Sequence, residues 1–226
     1  MPSLPWHVTE QAYGQGEYVE QQSFMRASEI RALAEQAGIG PGASVLDLCC
    51  GVGGPGRFIT KELACAYLGV DHDPEAIDAA RERAAGLPCR FEVAQIPPVP
   101  HGRFDVVLLL ETMLAFRDKQ PLLQGIAAAL APGGRFACTF EEGAPLTPAE
   151  RAIMPDADTV WLIPLEEMTA HIERAGLAVV WQEDHSAAHR ETANALTHAF
   201  AAHRLWAQWL GEGRVRKLAL VAVRPR

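Results

Sequence analysis

Short runs of apolar residues alternate along this chain with stretches in which apolar residues recur every three or four positions. The runs predict buried β-strands, and the periodic stretches predict amphipathic helices. Predicted strands cover residues 45–48, 66–71, 89–94, 103–113, 135–140, 177–182 and 215–223. Predicted helices lie between them, and the two at the extremes cover residues 24–37 and 187–210. This alternation predicts an α/β fold built on a mostly parallel sheet.

A glycine-rich turn connects the first predicted strand to the next helix. Gly51, Gly53 and Gly56 lie in this turn, and Pro55 suits the first helical turn, where its missing N–H costs nothing. Glycines let a ligand approach the backbone closely, and a helix start presents free N–H groups. The spacing also matches the dinucleotide fingerprint G-x-G-x-x-G, so a nicotinamide-dependent oxidoreductase is a competing interpretation. Asp47 disfavours it, because a carboxylate at this place would face a pyrophosphate.

Residues 45–53 resemble the first motif of the class I S-adenosylmethionine-dependent methyltransferases, which is roughly V-L-D-x-G-C-G-x-G. Cys49 stands where the family usually has its first glycine. A second family signature, L-x-P-G-G before a strand, matches residues 130–134. The resemblance implies a Rossmann-like, doubly wound sheet of seven strands with an antiparallel C-terminal strand. It also implies S-adenosylmethionine as cofactor and S-adenosylhomocysteine as product, and the ammonium group of that cofactor suits a carboxylate at Asp47.

The expected cofactor site lies at the carboxyl ends of the strands, where open α/β sheets bind ligands. Asp71 ends the second predicted strand, and its carboxylate is expected to accept from both ribose hydroxyls. Helix capping is the alternative role, which Asp73 fits better. After the third strand, Gln95 and Ile96 are expected to contact adenine, although a plain loop also fits. The expected cofactor-binding residues are Tyr18, Asp47, Cys49, Gly51, Gly53, Asp71, His72, Gln95, Ile96 and Leu110.

Candidates for catalysis and for acceptor binding follow later strand ends. His185 is a candidate general base, because histidine titrates near neutral pH. Glu111 is a second catalytic candidate that contacts the cofactor or an amine, with helix capping as the alternative. His185 and His189 are four residues apart, as in some metal sites, but no H-E-x-x-H pattern accompanies them, and no metal is expected. The expected acceptor-binding residues are Tyr13, Met113, Glu142, Met154 and Trp161.

Residues 1–226 are expected to form a single methyltransferase domain. Residues 1–40 are interpreted as a cap segment and helix that fold over the cofactor in similar methyltransferases, or alternatively as a loosely ordered terminus. Residues 141–164 are interpreted as a substrate-side insert, because class I enzymes often build specificity after the fifth strand. For any single charged residue of that insert, a solvated surface is the better interpretation.

Composition narrows the possible partners and location. The formal net charge of −8 disfavours a nucleic-acid partner, which would need a basic surface. No apolar run approaches the roughly 20 residues of a membrane span, and the first residues lack the basic and apolar regions of a signal peptide. Five cysteines, mostly in apolar surroundings, indicate reduced thiols and a cytoplasmic location. The expected partner is a small-molecule substrate, and a homodimer stays open.

The sequence therefore predicts methyl transfer to an oxygen, nitrogen or carbon nucleophile of a small molecule, in bacterial specialised metabolism. Two alternatives stay open beside the oxidoreductase. One is a fold member that uses S-adenosylmethionine for a cyclisation or decarboxylation, and the other is a non-catalytic partner subunit.

Overall fold

Strands and helices alternate along residues 11–197 and 201–226, which are the residues that the computed structural model describes. The strands are β1 (Ser44–Leu48), β2 (Ala66–Asp71), β3 (Cys89–Val93), β4 (Phe104–Leu109), β5 (Leu130–Glu142), β6 (Ala178–Asp184) and β7 (Arg216–Val223). The helices are α1 (Ala27–Gln36), α2 (Gly54–Leu63), α3 (Pro74–Arg83), α4 (Lys119–Ala129), α5 (Pro148–Ile153), α6 (Leu165–Arg174), α7 (Ser186–Leu196) and α8 (Ala201–Glu212). Single 3₁₀ turns cover Met113–Ala115 and Ala157–Thr159.

All seven strands belong to one sheet, in the spatial order β3-β2-β1-β4-β5-β7-β6. Strands β1 to β5 run parallel, and β7 pairs antiparallel with both β5 and β6. This confirms the predicted Rossmann-like sheet of seven strands. The strand order reverses between β1 and β4, so a crevice opens at their carboxyl ends, where such sheets bind ligands.

The central strands are apolar on both faces because each face packs against a separate core. In β4, Val107 and Leu109 enter the core that α4 and α6 cover, whereas Val106 and Leu108 enter the core under α1, α2 and α3. This division follows from the alternation of side chains along a strand. Two buried faces explain why the strand sequences are continuous apolar runs rather than alternating ones.

Three predicted elements differ from the observed ones. The fourth strand ends at Leu109, well before the predicted end at residue 113. Strand β5 begins at residue 130 rather than 135, and its Gly133 N–H donates to the Arg224 carbonyl at 2.9 Å, which adds the Pro-Gly-Gly segment to the sheet. The long helix predicted over residues 187–210 is the pair α7 and α8, which pack together, and residues 198–200 lie outside the described part. Apolar periodicity continues through both helices, so it does not show the break.

None of the helices in the described residues is both long enough and apolar enough to cross a membrane.

Candidate functional site

A cleft opens at the carboxyl ends of β1, β2 and β4, next to the reversal in strand order. Its walls come from the N-terminal segment, the glycine turn and the residues that follow β4. Seven of the predicted site residues line it: Asp47, Cys49, Gly51, Asp71, His72, Leu110 and Glu111. The tertiary structure therefore brings together residues that the sequence distributes over three strand ends.

The glycine turn has three residues in the left-handed region of backbone space. Cys49, Gly51 and Gly53 have φ values of 61°, 52° and 71°. At Gly53 an added Cβ would lie 2.5 Å from the Phe91 ring, so the position also lacks space for a side chain. Cys49 adopts the conformation that favours glycine at a cost of about 1–2 kcal/mol. The cysteine in the family's usual glycine position therefore preserves the shape of the turn.

Asp71 is fixed at the mouth of the cleft by backbone N–H groups. One carboxylate oxygen accepts from the Gly51 N–H at 2.9 Å, and the other accepts from the Asp73 N–H at 3.0 Å. Asp73 caps α3 by accepting from the Glu75 N–H at 2.9 Å, so the capping role belongs to Asp73, as predicted. Each carboxylate oxygen carries two lone pairs, so Asp71 keeps acceptor capacity for a ligand. Its fixed orientation fits a pair of ribose hydroxyls.

Asp47 lies deeper, below the glycine turn. The Tyr67 hydroxyl donates to its carboxylate. Burial raises the pKa of Asp47 to about 7; the Tyr67 hydrogen bond opposes this shift, and the nearby Asp71 carboxylate adds to it. Asp47 therefore titrates near neutral pH, and a cation bound beside it would stabilise its charged form.

The N-terminal segment packs directly against the glycine turn and forms one wall of the cleft. Gln21 is buried, and its amide donates to the carbonyls of Glu17 at 2.9 Å and Met25 at 2.8 Å, which folds the segment back on itself. At Gly54, an added Cβ would lie 2.2 Å from the Val19 carbonyl oxygen, so the two backbones are in contact. Residues 19–25 thus pack against the turn, and residues 1–10 of the predicted cap lie outside the described residues.

The predicted tyrosines support this wall rather than line the cleft. The ring centroids of Tyr13 and Tyr18 lie 5.2 Å apart. The Tyr13 hydroxyl donates to the Ser23 carbonyl at 2.5 Å, and Ser23 does line the cleft. Burial raises the pKa of Tyr13, so its hydroxyl stays protonated and keeps this hydrogen bond.

Glu111 forms the wall opposite the glycine turn and belongs to a buried charge network. The backbone φ of Glu111 is 61°. The Thr139 hydroxyl holds both the backbone and the side chain of Glu111: it accepts from the Glu111 N–H and donates to the Glu111 carboxylate, each at 2.7 Å. The Lys217 ammonium lies 2.7 Å from Glu111 and 2.6 Å from Glu141. Burial acts to raise the pKa of Glu111, but Lys217 and His189 outweigh it, and the pKa is lowered. Glu111 is therefore an ionised and weakly basic carboxylate, poorly suited to act as a general base.

Four of the predicted acceptor-binding residues lie away from the cleft. Met113 and Met154 are buried in hydrophobic cores, where their side chains fill space between helices and strands. Trp161 lies in a separate depression. Glu142 accepts from Arg216 at 2.9 Å and lies on the strand face opposite Glu141, because neighbouring residues of a strand point in opposite directions. Glu141, not Glu142, therefore points to the Lys217–Glu111 pair.

Two predicted adenine contacts also miss the cleft. Ile96 is buried in the core shared by α4 and α6, so its face is covered by protein. Gln95 is exposed, and its amide donates weakly to the Ile96 carbonyl at 3.4 Å. The third strand end thus contributes none of the residues that line the cleft in the described part of the chain.

His185, the predicted base, is buried beside Glu29 and does not line the cleft. Sequence reasoning missed Glu29 and Lys217, and it considered His189 only as a possible metal ligand with His185; all three connect to Glu111 from distant parts of the chain. A lysine inside an apolar strand, as in Arg216–Val223, is the signal that could have identified Lys217, because buried lysines are almost always paired.

Comparison with known proteins agrees with this geometry. Residues 45–134 match the model of a methyltransferase domain family. Phosphoethanolamine N-methyltransferase 1 of Arabidopsis thaliana is 32% identical over 144 residues, which are 62% of this chain and 28% of that protein. Methyltransferase GfsG of Streptomyces halstedii is 27% identical over 181 residues, which are 74% of this chain and 64% of that protein. The chain therefore matches less than a third of the plant relative and just under two thirds of the bacterial one.

A solved structure shares the fold over almost the whole chain. Phosphoethanolamine N-methyltransferase 2 of Haemonchus contortus, in complex with S-adenosyl-L-methionine, superposes with a TM-score of 0.82 at 18% sequence identity. The superposition covers 97% of this chain and 56% of that one. The family match falls on the glycine turn, on Asp71 and on the strands that position them. Residues 45–134 are thus similar to a methyltransferase domain family, and the chain shares its fold with a structure solved in complex with S-adenosyl-L-methionine.

Proposed function

We propose that the chain transfers a methyl group from S-adenosylmethionine to a small molecule that is neutral or cationic, with an amine as the favoured nucleophile. The supporting observation is the charge of the cleft wall. Four carboxylates line it, Glu20, Asp47, Asp71 and Glu111, and none of the described lining residues is a lysine or arginine. Glu20 and Glu111 are paired with Arg57 and Lys217, so Asp47 and Asp71 carry the unpaired negative charge. Such a wall attracts cations and repels an anionic acceptor.

The same carboxylates suit the cofactor. S-adenosylmethionine supplies an electrophilic methyl group on a positively charged sulfur and also carries an ammonium group. Asp71, fixed by two backbone N–H groups, would accept from the ribose hydroxyls. Asp47 would pair with the ammonium group, and residues 19–25 would cover the cofactor and exclude water. The geometry of the glycine turn supports these roles, because Gly51 leaves backbone exposed at the cleft.

Glu111 is proposed to position the acceptor. Its carboxylate is held rigidly by Thr139 and Lys217, so it offers a fixed hydrogen-bond acceptor at the cleft wall. Because its pKa is lowered, Glu111 orients an amine N–H more effectively than it removes a proton. An amine that binds unprotonated needs no base before attack, and alignment with the methyl group then provides most of the rate gain.

The biological setting belongs to the same proposal. Similarity to a methyltransferase of the bacterium Streptomyces halstedii supports a bacterial setting, and specialised metabolism stays a prediction from the sequence. The cytoplasmic location and the homodimer remain predictions from the sequence. The formal charge of −8 supports a partner that is not a nucleic acid.

The test uses pairs of acceptors that differ by one phosphate group, such as ethanolamine and phosphoethanolamine. Each is incubated with S-adenosylmethionine, and mass spectrometry follows S-adenosylhomocysteine and the gain of one methylene in the acceptor. We expect the amine of each pair to react at least about tenfold faster than its phosphorylated form, which corresponds to about 1.4 kcal/mol. Faster reaction of the phosphorylated forms would refute the preference that we assign to the cleft.

Two controls separate the alternatives. Asp71→Asn should lose cofactor binding and therefore all methylation, while remaining folded by circular dichroism. A product that forms without S-adenosylhomocysteine would indicate a cyclisation or decarboxylation instead. Binding of the cofactor without turnover of any acceptor would indicate a non-catalytic partner subunit.

A further inference from the structure

Three side chains converge between α1 and the start of α7, behind the cleft wall. The Nδ1 atom of His185 and the Nε2 atom of His189 each lie 3.4 Å from a carboxylate oxygen of Glu29. The three candidate ligand atoms all lie within 4.8 Å of one another. His185 and His189 are 6% and 1% exposed, so the cluster is shielded from solvent.

Among the described residues, the two nitrogens that face Glu29 have no partner within hydrogen-bond geometry. His185 Nδ1 and His189 Nε2 are both fully buried and unpaired by geometry. A buried polar atom without a partner destabilises the fold, because it has lost its hydrogen bonds to water. Two such atoms that face the same carboxylate indicate that a further group binds between the three side chains.

The opposite ring nitrogens face carboxylates. His185 Nε2 lies 3.3 Å from Glu183, and His189 Nδ1 lies 3.9 Å from Glu111. Histidines that bind metals characteristically donate their second ring N–H to a carboxylate, which sets the tautomer and leaves the other nitrogen free for the metal. His185 has this arrangement through its 3.3 Å hydrogen bond with Glu183, whereas the Glu111 carboxylate lies 3.9 Å from His189 Nδ1, too far for a hydrogen bond. In both histidines the other ring nitrogen is the one that faces Glu29.

We propose that Glu29, His185 and His189 bind one divalent transition-metal ion, with zinc as the first candidate. Two imidazole nitrogens and one carboxylate oxygen suit zinc, cobalt or iron, whereas magnesium and calcium prefer oxygen ligands. Ligand atoms of a tetrahedral zinc site lie about 3.3 Å apart. Each histidine nitrogen lies 3.4 Å from a different Glu29 oxygen, and one ligand atom from each residue lies within 4.8 Å of the others, so a small adjustment of the side chains brings them to this spacing. Three protein ligands leave a position open for water or for a ligand oxygen.

Local structure prepares the three ligands. The His189 N–H donates to the His185 carbonyl at 3.0 Å, so the two histidines are one helical turn apart and project from the same face. The Glu29 carboxylate also accepts from the Arg26 N–H at 2.7 Å, which fixes its direction at the start of α1. The ion would therefore join α1, whose Ile30 lines the cleft, to α7. The site stands independently of the proposed acceptor.

The test measures binding of zinc and cobalt to the full chain after treatment with a chelator. Calorimetry with Zn²⁺ is expected to show one ion per chain with a Kd of about 1 μM or lower. Co²⁺ is expected to give visible absorption bands of a low-coordinate site. Glu29→Gln, His185→Asn and His189→Asn should each weaken binding about 100-fold, while His171→Asn, which alters a histidine bonded to Gln120, should bind normally.

Circular dichroism of each variant checks that it is folded. Glu29→Gln keeps an oxygen for the Arg26 N–H, so loss of metal binding in this variant reports the missing charge rather than a broken helix cap. The proposal is overturned if the wild-type chain binds neither ion at about 100 μM. It is equally overturned if the three cluster variants bind as tightly as the wild type, because the ion would then lie elsewhere.

Discussion

Replacement of Lys217 by methionine tests the buried charge network most directly. Methionine keeps most of the side-chain volume but removes the ammonium group that pairs with Glu111 and Glu141. Lys217 is 2% exposed, so water cannot take its place without opening the core. The variant therefore leaves two carboxylates in a buried site without their cation.

The size of the effect follows from the distances. Because the two carboxylate oxygens lie 2.7 and 2.6 Å from the same nitrogen, they are at most about 5.3 Å apart, the sum of those distances. Two like charges at that separation repel by about 3 kcal/mol at an effective dielectric constant of about 20. Removal of one partner from a buried ion pair typically costs about 3–5 kcal/mol, so both routes give a similar loss of stability at neutral pH.

The loss must depend on pH. In the wild type the pKa of Glu111 is lowered, so its contribution to stability is present above its unfolded pKa and is lost as the pH falls through the folded value. In Lys217→Met the pKa of Glu111 should instead lie above its unfolded value, and stability should then decrease as the pH rises. The difference in unfolding free energy between wild type and variant is therefore expected to grow between about pH 5 and about pH 8.

Urea denaturation at several pH values measures this difference. The matched control is the double variant Lys217→Met/Glu111→Gln, which removes one of the two charges and should recover much of the lost stability. A destabilisation that is the same at every pH, with no recovery in the double variant, would refute the electrostatic reasoning and indicate a packing defect.

Three further predictions concern the cleft. The affinity for S-adenosylmethionine, measured by calorimetry, should increase between about pH 6 and about pH 7.5, because Asp47, whose pKa is about 7, becomes charged over this range. Asp47→Asn should remove this increase and weaken binding about tenfold. Gly54→Ala should destabilise the fold by about 1–3 kcal/mol and weaken cofactor binding, because the new Cβ would lie 2.2 Å from the Val19 carbonyl oxygen. Gly40→Ala is the control and should have neither effect, because no atom lies within 4 Å of its new Cβ. Thr139→Val should cost about 2–3 kcal/mol in urea denaturation, because it leaves the Glu111 N–H without its acceptor.

Each of these predictions has a result that contradicts it. A pH dependence that persists in Asp47→Asn would assign the titration to another group. Equal thermal stability and cofactor affinity of Gly54→Ala and Gly40→Ala would mean that the cap segment is not held against the glycine turn. Thr139→Ser keeps the hydroxyl, and it should retain more stability than Thr139→Val; the reverse order would show that the methyl group matters more than the hydrogen bonds.

Much of the cleft lining near the glycine turn could be predicted from the sequence. Asp47, Gly51 and Asp71 follow from a strand end, a turn and a second strand end, and parallel strands bring their carboxyl ends to one edge. The acceptor half could not be predicted in the same way. Met113 is apolar and close to the site in sequence, but a 3₁₀ turn directs it into the core.

The sequence by itself determined most of the order of strands and helices, the glycine turn and the resemblance to a methyltransferase domain, because apolar periodicity and turn chemistry are local properties of neighbouring residues. Only the tertiary structure decided which face of β5 meets Lys217, and so selected Glu141 over Glu142. It also decided that Glu29, from the first described helix, meets His185 and His189 from the C-terminal half. Contacts of this kind join residues that are 76 or more positions apart, and they form only when the fold brings their strands and helices together.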